Sequence, residues 1–287
     1  MRGRGIDFEH RFNTSRWAED LLLTSLSAHP DFLACRYGLS EIVTQGELVY
    51  GHGPFKEPDI LVFKRQNLSG SEIEMLRATN DLSIIDPQLL GPKGPLSFVF
   101  SKACAAIEVE FSPYKAAEMK GRQWKPRTAD AWDKRPLMHA NPPQAPNIFV
   151  KEEDLGKLVS WQEHYKVPIL VAHLFNQEAF AISLNRISQF NDEILARPDL
   201  AKKLQMTSGI FKKLQTYDRS DAQGAKEEKV LFVITPNIAV KVGNIDGVVP
   251  EAQLGLSSSK KYVTHVKFSG GSLALDGNFL DWMTRLK

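Results

Sequence analysis

The stretch Ala-Ala-Ile-Glu-Val-Glu-Phe, which ends at Phe111, constrains the fold of this chain more than any other segment. Side chains of a β-strand point alternately to the two faces of its sheet. Ile107, Val109 and Phe111 are therefore expected on one face, and Glu108 and Glu110 on the other. Paired acids of this kind indicate either a solvated edge strand or a charged site that the sheet holds in place.

The segments around this strand predict alternating helices and strands. A first helix is expected from about Ser15 to Ala28, ended by His29-Pro30, because the residue before a proline avoids the α region. Strands at 48–50 and 59–63 are expected to pair as a hairpin around the turn Gly-His-Gly-Pro. Further helices are expected at 71–79, within an insertion at 66–97, and at 151–165, 187–195 and 200–216. Further strands are expected at 167–172, 179–184, 229–235 and 238–242. A hairpin is expected around Gly270-Gly271 within 262–275.

This order of elements predicts an α/β fold: a central mixed β-sheet flanked by helices, with additional C-terminal β elements. The 287 residues are enough for a full hydrophobic core. We expect one domain over residues 1–287, with its core at about 15–185 and a C-terminal α/β elaboration at about 186–287.

Composition narrows the classes of function. The net charge of +2 is too small for a protein that coats nucleic acid without sequence preference. Two cysteines without a paired motif predict neither a disulfide framework nor a zinc site, so a reducing cytoplasmic location is expected. No apolar run of about 18 residues predicts a membrane span. No phosphate-binding glycine loop is present, so nucleotide hydrolysis is not expected.

A third acid precedes the other apolar strand. Asp59 opens the run Asp-Ile-Leu-Val-Phe, and Glu108 and Glu110 share one face of the later strand. Mg²⁺ prefers hard oxygen ligands and is usually held by one or two carboxylates together with water and substrate oxygens. Phosphodiester hydrolysis needs such an ion, so these acids predict a magnesium-dependent site.

These two segments together resemble a known family. The run Glu-Pro-Asp-Ile-Leu-Val-Phe at 57–63, followed by Ile-Glu-Val-Glu-Phe at 107–111, is similar to the PD…(D/E)xK nuclease superfamily and most closely to its type II restriction endonucleases. The resemblance covers residues 15 to about 185. It implies a restriction-endonuclease-like core, with Asp59 and Glu108 as metal ligands and Glu19 of the first helix as an assisting acid.

The sequence departs from the family pattern at the motif lysine, which is Glu110 here. An acid at this place is thought to act as a base or as a third metal ligand, and the missing positive charge is then expected from Lys115 or Lys120. The spacing between Asp59 and Glu108 is also longer than usual, so the insertion at 66–97 must loop out.

A basic segment follows the acidic strand and contains two tryptophans between its cations. Such a segment is either a solvated face or a surface that lies along phosphates. The expected DNA-binding residues are Lys115, Lys120, Arg122, Lys125 and Arg127.

The resemblance implies a site-specific, Mg²⁺-dependent endonuclease that cuts double-stranded DNA, and a palindromic target would favour a homodimer. Two other readings remain open. One is a repair nuclease that selects branched or damaged DNA with the same core. The other is a DNA-binding module with a degenerate site, because Glu110 stands where a lysine is expected.

Overall fold

A computed structural model describes residues 6–38, 43–44, 47–48, 56–79, 81–111, 148–175, 177–189, 210–218, 226–234, 239–256 and 262–286. The strands are β1 (Phe32–Arg36), β2 (Val43–Thr44), β3 (Glu47–Leu48), β4 (Ile60–Lys64), β5 (Ala103–Phe111), β6 (Ile148–Lys151), β7 (Ile169–Leu174), β8 (Glu178–Ser183), β9 (Ile210–Asp218), β10 (Lys226–Ile234), β11 (Val240–Leu256) and β12 (Tyr262–Leu275). The helices are α1 (Ile6–Ala28), α2 (Gly70–Thr79), α3 (Pro87–Leu90), α4 (Val99–Lys102), α5 (Glu152–Tyr165) and α6 (Gly277–Arg285), with short 3-10 turns at Arg65–Asn67 and Leu82–Ile84 and a helical segment at 184–189.

Seven strands form one mixed sheet in the order β1-β4-β5-β7-β8-β11-β12. Strands β5 and β7 are parallel, and α5 lies on the connection between them, as parallel neighbours require a crossover. All other neighbours in this sheet are antiparallel. Strands β6, β10 and β9 form a second sheet, and β2 pairs with β3.

The large sheet is covered on both faces. Leu22 and Leu26 of α1 pack with Ile107 on one face, where Phe279 of α6 also lies. On the other face, Trp161 of α5 is fully buried in a second cluster. Burying a large side chain stabilises a fold by about 1.5–3 kcal/mol relative to leaving it exposed, so these two layers hold the sheet between the helices. The fold is therefore α/β with a central mixed sheet flanked by helices, as the sequence predicts.

Several expected elements are confirmed. Helix α1 ends at Ala28 as predicted but begins at Ile6, before the expected start. The acidic strand, the helix after it and the next two strands are present as β5, α5, β7 and β8, each within a few residues of its expected bounds. On β5, Ile107 and Val109 lie in the core cluster below α1, so the predicted division between apolar and acidic faces is correct.

The predicted hairpin between 48–50 and 59–63 is wrong. Strand β4 pairs on one side with β1 and on the other with β5, so it has no free edge for the earlier segment. Strand β3 instead pairs with β2. The sequence gives little indication of β1, because all five of its residues are buried and its side chains do not alternate between apolar and polar.

Two further expectations are corrected. The last residues of the helix expected at 200–216 belong instead to strand β9, which pairs with β10 over nine positions. Residues 200–209 lie outside the part of the chain that the structure describes. The hairpin expected around Gly270-Gly271 is absent, since β12 passes through both glycines while it remains paired with β11. Gly270 has a φ of 64° and Gly271 a φ of 91°, and Gly247 on the facing strand has a φ of 71°. These glycines bend the ladder locally, and its register is the same on both sides of them.

The C-terminal region is part of the central sheet. Strand β11 pairs with β8, and β12 lies at the sheet edge beyond it. Among the helices described, none is both long enough and apolar enough to cross a membrane.

Candidate functional site

The structure brings Asp59 and Glu108 together at one end of the sheet. Strands β4 and β5 are antiparallel with Ile60 opposite Ile107, so the next position places Asp59 opposite Glu108. The amide of Val109 donates a hydrogen bond of 2.7 Å to Oδ2 of Asp59. The carbonyl of Asp59 accepts a further bond, of 2.8 Å, from the amide of Tyr37. Hydrogen bonds thus fix Asp59 to β5 on one side and to the residue that follows β1 on the other.

Burial and two neighbouring carboxylates raise the free-energy cost of ionising Asp59. Removal from water raises the pKa of Asp59 well above its usual range, and the charges of Glu108 and Glu19 raise it further. The charge of Lys56 and the hydrogen bond from Val109 act in the opposite direction but do not outweigh these effects. A cation placed between the carboxylates would therefore stabilise their ionised forms.

Lys56 is the cation that the structure places on this site, and it is not among the residues that the sequence pattern predicts. Its Nζ donates to Oε1 of Glu108 and, over 3.2 Å, to Oδ2 of Asp154 in the first turn of α5. Burial alone would lower the pKa of Lys56, but the charges of Glu108 and Asp154 raise it above its ordinary value, so the ammonium stays charged at neutral pH. The sequence offers one indication that Lys56 belongs to the site, because Lys56 precedes Asp59 by only three residues.

Glu110 lies on the same sheet face as Glu108 and next to His173. The parallel register of β5 and β7 pairs Glu110 with His173, and the field of Glu110 also acts on Lys56. His173 is fully buried, and its ring stacks on that of Phe175 with centroids 4.5 Å apart. Burial lowers the pKa of His173 to about 3, so its imidazole is neutral at physiological pH.

Glu19 lies near the acids, as the resemblance implies, but its direct partner is Arg36. Both side chains are about 95% buried, and Nη1 of Arg36 donates to Oε2 of Glu19. Nη2 of the same guanidinium donates to Oδ1 of Asp20 over 2.5 Å. Burial raises the pKa of Glu19 despite the opposing charge of Arg36. Glu19 thus acts on Asp59 through its field, while its carboxylate is bound to Arg36.

The remaining predicted residues lie outside the part of the chain that the structure describes. This group comprises Lys115, Lys120, Arg122, Lys125 and Arg127. Their roles remain predictions, and the positive charge at the described site comes from Lys56.

The carboxylates at this end of the sheet are of the ligand type that magnesium prefers. Within the described ranges, no three His, Cys, Asp or Glu side chains form a group that could hold a metal ion, so the predicted trio of Asp59, Glu108 and Glu110 does not form such a group. Mg²⁺ does not need three such ligands, because it commonly uses one or two carboxylates and completes its octahedral shell with water and phosphate oxygens. Asp59 and Glu108 supply that pair, and the repulsion between them is the property that a divalent cation relieves.

Fold and site together define an α/β protein with a carboxylate–lysine cluster at one end of a central mixed sheet. No protein-family model, curated protein or solved structure matches the chain.

Proposed function

We propose that this protein is a Mg²⁺-dependent endonuclease that cuts double-stranded DNA at specific sites, in the manner of a type II restriction enzyme. The observation that carries the proposal is the arrangement of three side chains. Asp59 and Glu108 lie opposite each other on adjacent strands, and the ammonium of Lys56 contacts Glu108. Two carboxylates can hold the divalent ion that assists phosphodiester hydrolysis, and a neighbouring ammonium can offset charge on the phosphate.

In this proposal Asp59 and Glu108 bind Mg²⁺, and Glu110 completes the site or positions the attacking water. A bound Mg²⁺ lowers the pKa of its water and offsets the charge that develops on the phosphate. The hydrogen bond from Val109 to Asp59 fixes the direction of one ligand before the ion arrives. A preorganised ligand of this kind loses little conformational freedom on binding.

Lys56 takes the place of the motif lysine in this proposal. Its ammonium lies beside Glu108, where it can orient water or neutralise a phosphate oxygen. Asp154 holds the other side of the ammonium and limits its movement. The alternative of a DNA-binding module with a degenerate site rests on the absence of a lysine at position 110. The charged side chain of Lys56 beside Glu108 makes that alternative weaker.

The arrangement of elements also supports the resemblance. A helix, two adjacent strands that carry the acids, a helix and a further strand occur in the order that the resemblance implies, as α1, β4, β5, α5 and β7. We propose that these elements are a restriction-endonuclease-like core. Duplex DNA, a homodimer and phosphate contacts from the basic segment at 115–127 belong to the same proposal.

The test is a digestion of unmethylated phage DNA and of plasmid with the full chain, in Mg²⁺ and in EDTA. Discrete fragments whose sequenced ends share one motif, formed only with Mg²⁺, support the proposal. A branched duplex of matched length is digested in parallel. Preferential cutting of that substrate would indicate a structure-selective repair nuclease, and no cleavage of any substrate with Mg²⁺ or Mn²⁺ would exclude a nuclease.

A further inference from the structure

Arg36, the last residue of β1, binds acidic side chains from two other elements. Its guanidinium donates to Glu19 and, over 2.5 Å, to Asp20, which both belong to α1. Its Nε lies 3.8 Å from Oδ2 of Asp81, in the insertion between β4 and β5. Only 5% of the Arg36 side chain is exposed, so these carboxylates, and not bulk water, compensate its charge.

The backbone fixes Arg36 close to Asp59. Arg36 pairs with Ile60, the residue after Asp59, and it also forms an isolated β-bridge with Asp81. The carboxylate of Asp81 is itself held, because it accepts a hydrogen bond of 3.0 Å from the amide of Ser83. The guanidinium is therefore held from several sides, and it binds Glu19 from a fixed point on the sheet.

The charge of Glu19 reaches Asp59, but the carboxylate of Glu19 is bound to Arg36. The negative charge of Glu19 raises the pKa of Asp59. The side chain of Glu19 is only 4% exposed, and its Oε2 accepts from Nη1 of Arg36. Separating a buried ion pair leaves a buried charge without compensation, which strongly destabilises a fold. A metal ion gains Glu19 as a ligand only if it offsets that loss.

A second metal ion needs a further acid beside Asp59 and Glu108. The ions of a two-metal site lie about 3.5–4 Å apart, so both need ligands in the same small volume. Among the residues that the structure describes, no third carboxylate forms a metal-holding group with this pair. Asp154 is bound to Lys56, as Glu19 is bound to Arg36. Two acids around the pair are thus bound to internal cations.

We propose that Arg36 is a positioning residue that keeps Glu19 out of the metal site, so that the site binds one divalent cation. This inference rests on the proposed endonuclease function, in which Asp59 and Glu108 bind Mg²⁺. Glu19 then acts on the site by its charge alone. The guanidinium of Arg36 supplies beside Glu19 the positive charge that a second metal ion would otherwise supply.

The experiment counts the metal ions bound by the full chain. Mn²⁺ is the probe, because electron paramagnetic resonance distinguishes free from bound Mn²⁺ and detects the magnetic coupling of two ions a few ångströms apart. DNA is left out, since its phosphates bind Mn²⁺ themselves. We expect one Mn²⁺ per wild-type chain and no signal from a coupled pair.

Three variants test the role of Arg36. Arg36→Met releases Glu19, so we expect a second Mn²⁺ and a coupled signal. Arg36→Met/Glu19→Gln removes both charges, so we expect one ion, bound with a Kd within about tenfold of the wild-type value. Loss of a direct ligand would weaken binding by more than about 100-fold, because even groups that only support a ligand change affinity by about 10- to 100-fold. Arg36→Lys keeps the positive charge and should keep the count at one.

A control and a stability measurement accompany these variants. Arg77→Met breaks an exposed ion pair on α2, in which Nη1 of Arg77 lies 2.9 Å from Oε1 of Glu74, and it should bind one ion as the wild type does. Thermal unfolding of each chain is measured without metal. If Arg36→Met does not fold, the comparison of the wild type with the double variant decides, because the double variant leaves neither partner of the pair charged.

The outcomes distinguish this inference from the proposed function. A single ion in folded Arg36→Met would give Arg36 a structural role only and overturn the inference. Two coupled ions in the wild type, or a loss of affinity of more than about tenfold in the double variant, would also overturn it and leave the nuclease intact. A wild type that binds no Mn²⁺ overturns the inference, and if it also cuts no DNA in the digestion described above, both proposals are overturned.

Discussion

The amide of Val109 donates a 2.7 Å hydrogen bond to Oδ2 of Asp59, across the two strands that carry the acidic site. Val109 lies between Glu108 and Glu110, so this bond fixes Asp59 to the middle of the acidic strand. The side chain of Val109 belongs to the apolar core below α1. The core face of β5 therefore holds the acids of its other face in position.

Asp59→Asn tests the charge of this residue apart from its geometry. The amide oxygen of asparagine can still accept from Val109, so the fold should be retained. Groups that merely support a metal ligand change activity by about 10- to 100-fold, so loss of a direct ligand should lower the cleavage rate by more than about 100-fold. The rate is measured on plasmid in Mg²⁺, and DNA binding is measured in Ca²⁺.

The matched control is Asp281→Asn, which removes the charge of an exposed aspartate on α6. It should cut at the wild-type rate. A wild-type rate for Asp59→Asn would show that Asp59 is not a metal ligand.

Lys56→Met tests whether Lys56 replaces the motif lysine. The substitution keeps the length of the side chain but removes the ammonium that contacts Glu108 and Asp154. Hydrogen bonds to charged groups contribute about 1.5–3 kcal/mol, so the free energy of unfolding should fall by about that amount. Cleavage should fall by more than about 100-fold if the ammonium acts on the phosphate or the water.

Asp154→Asn separates these two effects. It removes one partner of the ammonium and leaves Lys56 on Glu108, so stability should fall while most of the cleavage remains. Equal loss of cleavage in both variants, measured at a temperature where each is folded, would assign Lys56 a structural role only.

The acids of the site could be found from sequence because their arrangement is local. Glu108 and Glu110 are two residues apart on an alternating strand, and Asp59 directly precedes another. The contact between Lys56 and Asp154 could not be found in this way. These residues are 98 positions apart and meet only because α5 crosses over the sheet between β5 and β7.

The errors in the predicted fold have the same origin. The sequence predicts that strand β4 pairs with a nearby segment, whereas its neighbours in the sheet are β1 and β5, and four of its five residues are buried. A strand that is buried on both faces has no alternating pattern to reveal it. Gly270 and Gly271 predict a turn, but in the structure both adopt a positive φ within a strand that stays paired with β11 on either side.

The two cysteines should be unreactive in the folded protein. Burial raises the pKa of Cys35 to about 12 and that of Cys104 to about 11, and only the thiolate is the nucleophile. The two belong to core clusters on opposite faces of the sheet, so they also cannot join in a disulfide. An aromatic disulfide reagent at pH 8 should therefore modify both thiols only after denaturant is added. Rapid modification without denaturant would contradict their placement in the core.

Gly271→Ala tests the left-handed backbone conformation of β12 at Gly271, where the strand stays paired with β11 on both sides. Gly271 has a φ of 91°, and a Cβ added there would lie 3.0 Å from Cγ2 of Val248. Residues held at such a φ cost of order 1–3 kcal/mol, and the contact with Val248 adds to this, so the free energy of unfolding should fall by at least about 1 kcal/mol in urea denaturation. Gly277→Ala is the matched control, because a Cβ at that helix start meets nothing within 4 Å and its φ is not positive. Equal stability of the two variants would mean that β12 does not pass through Gly271 in the conformation described.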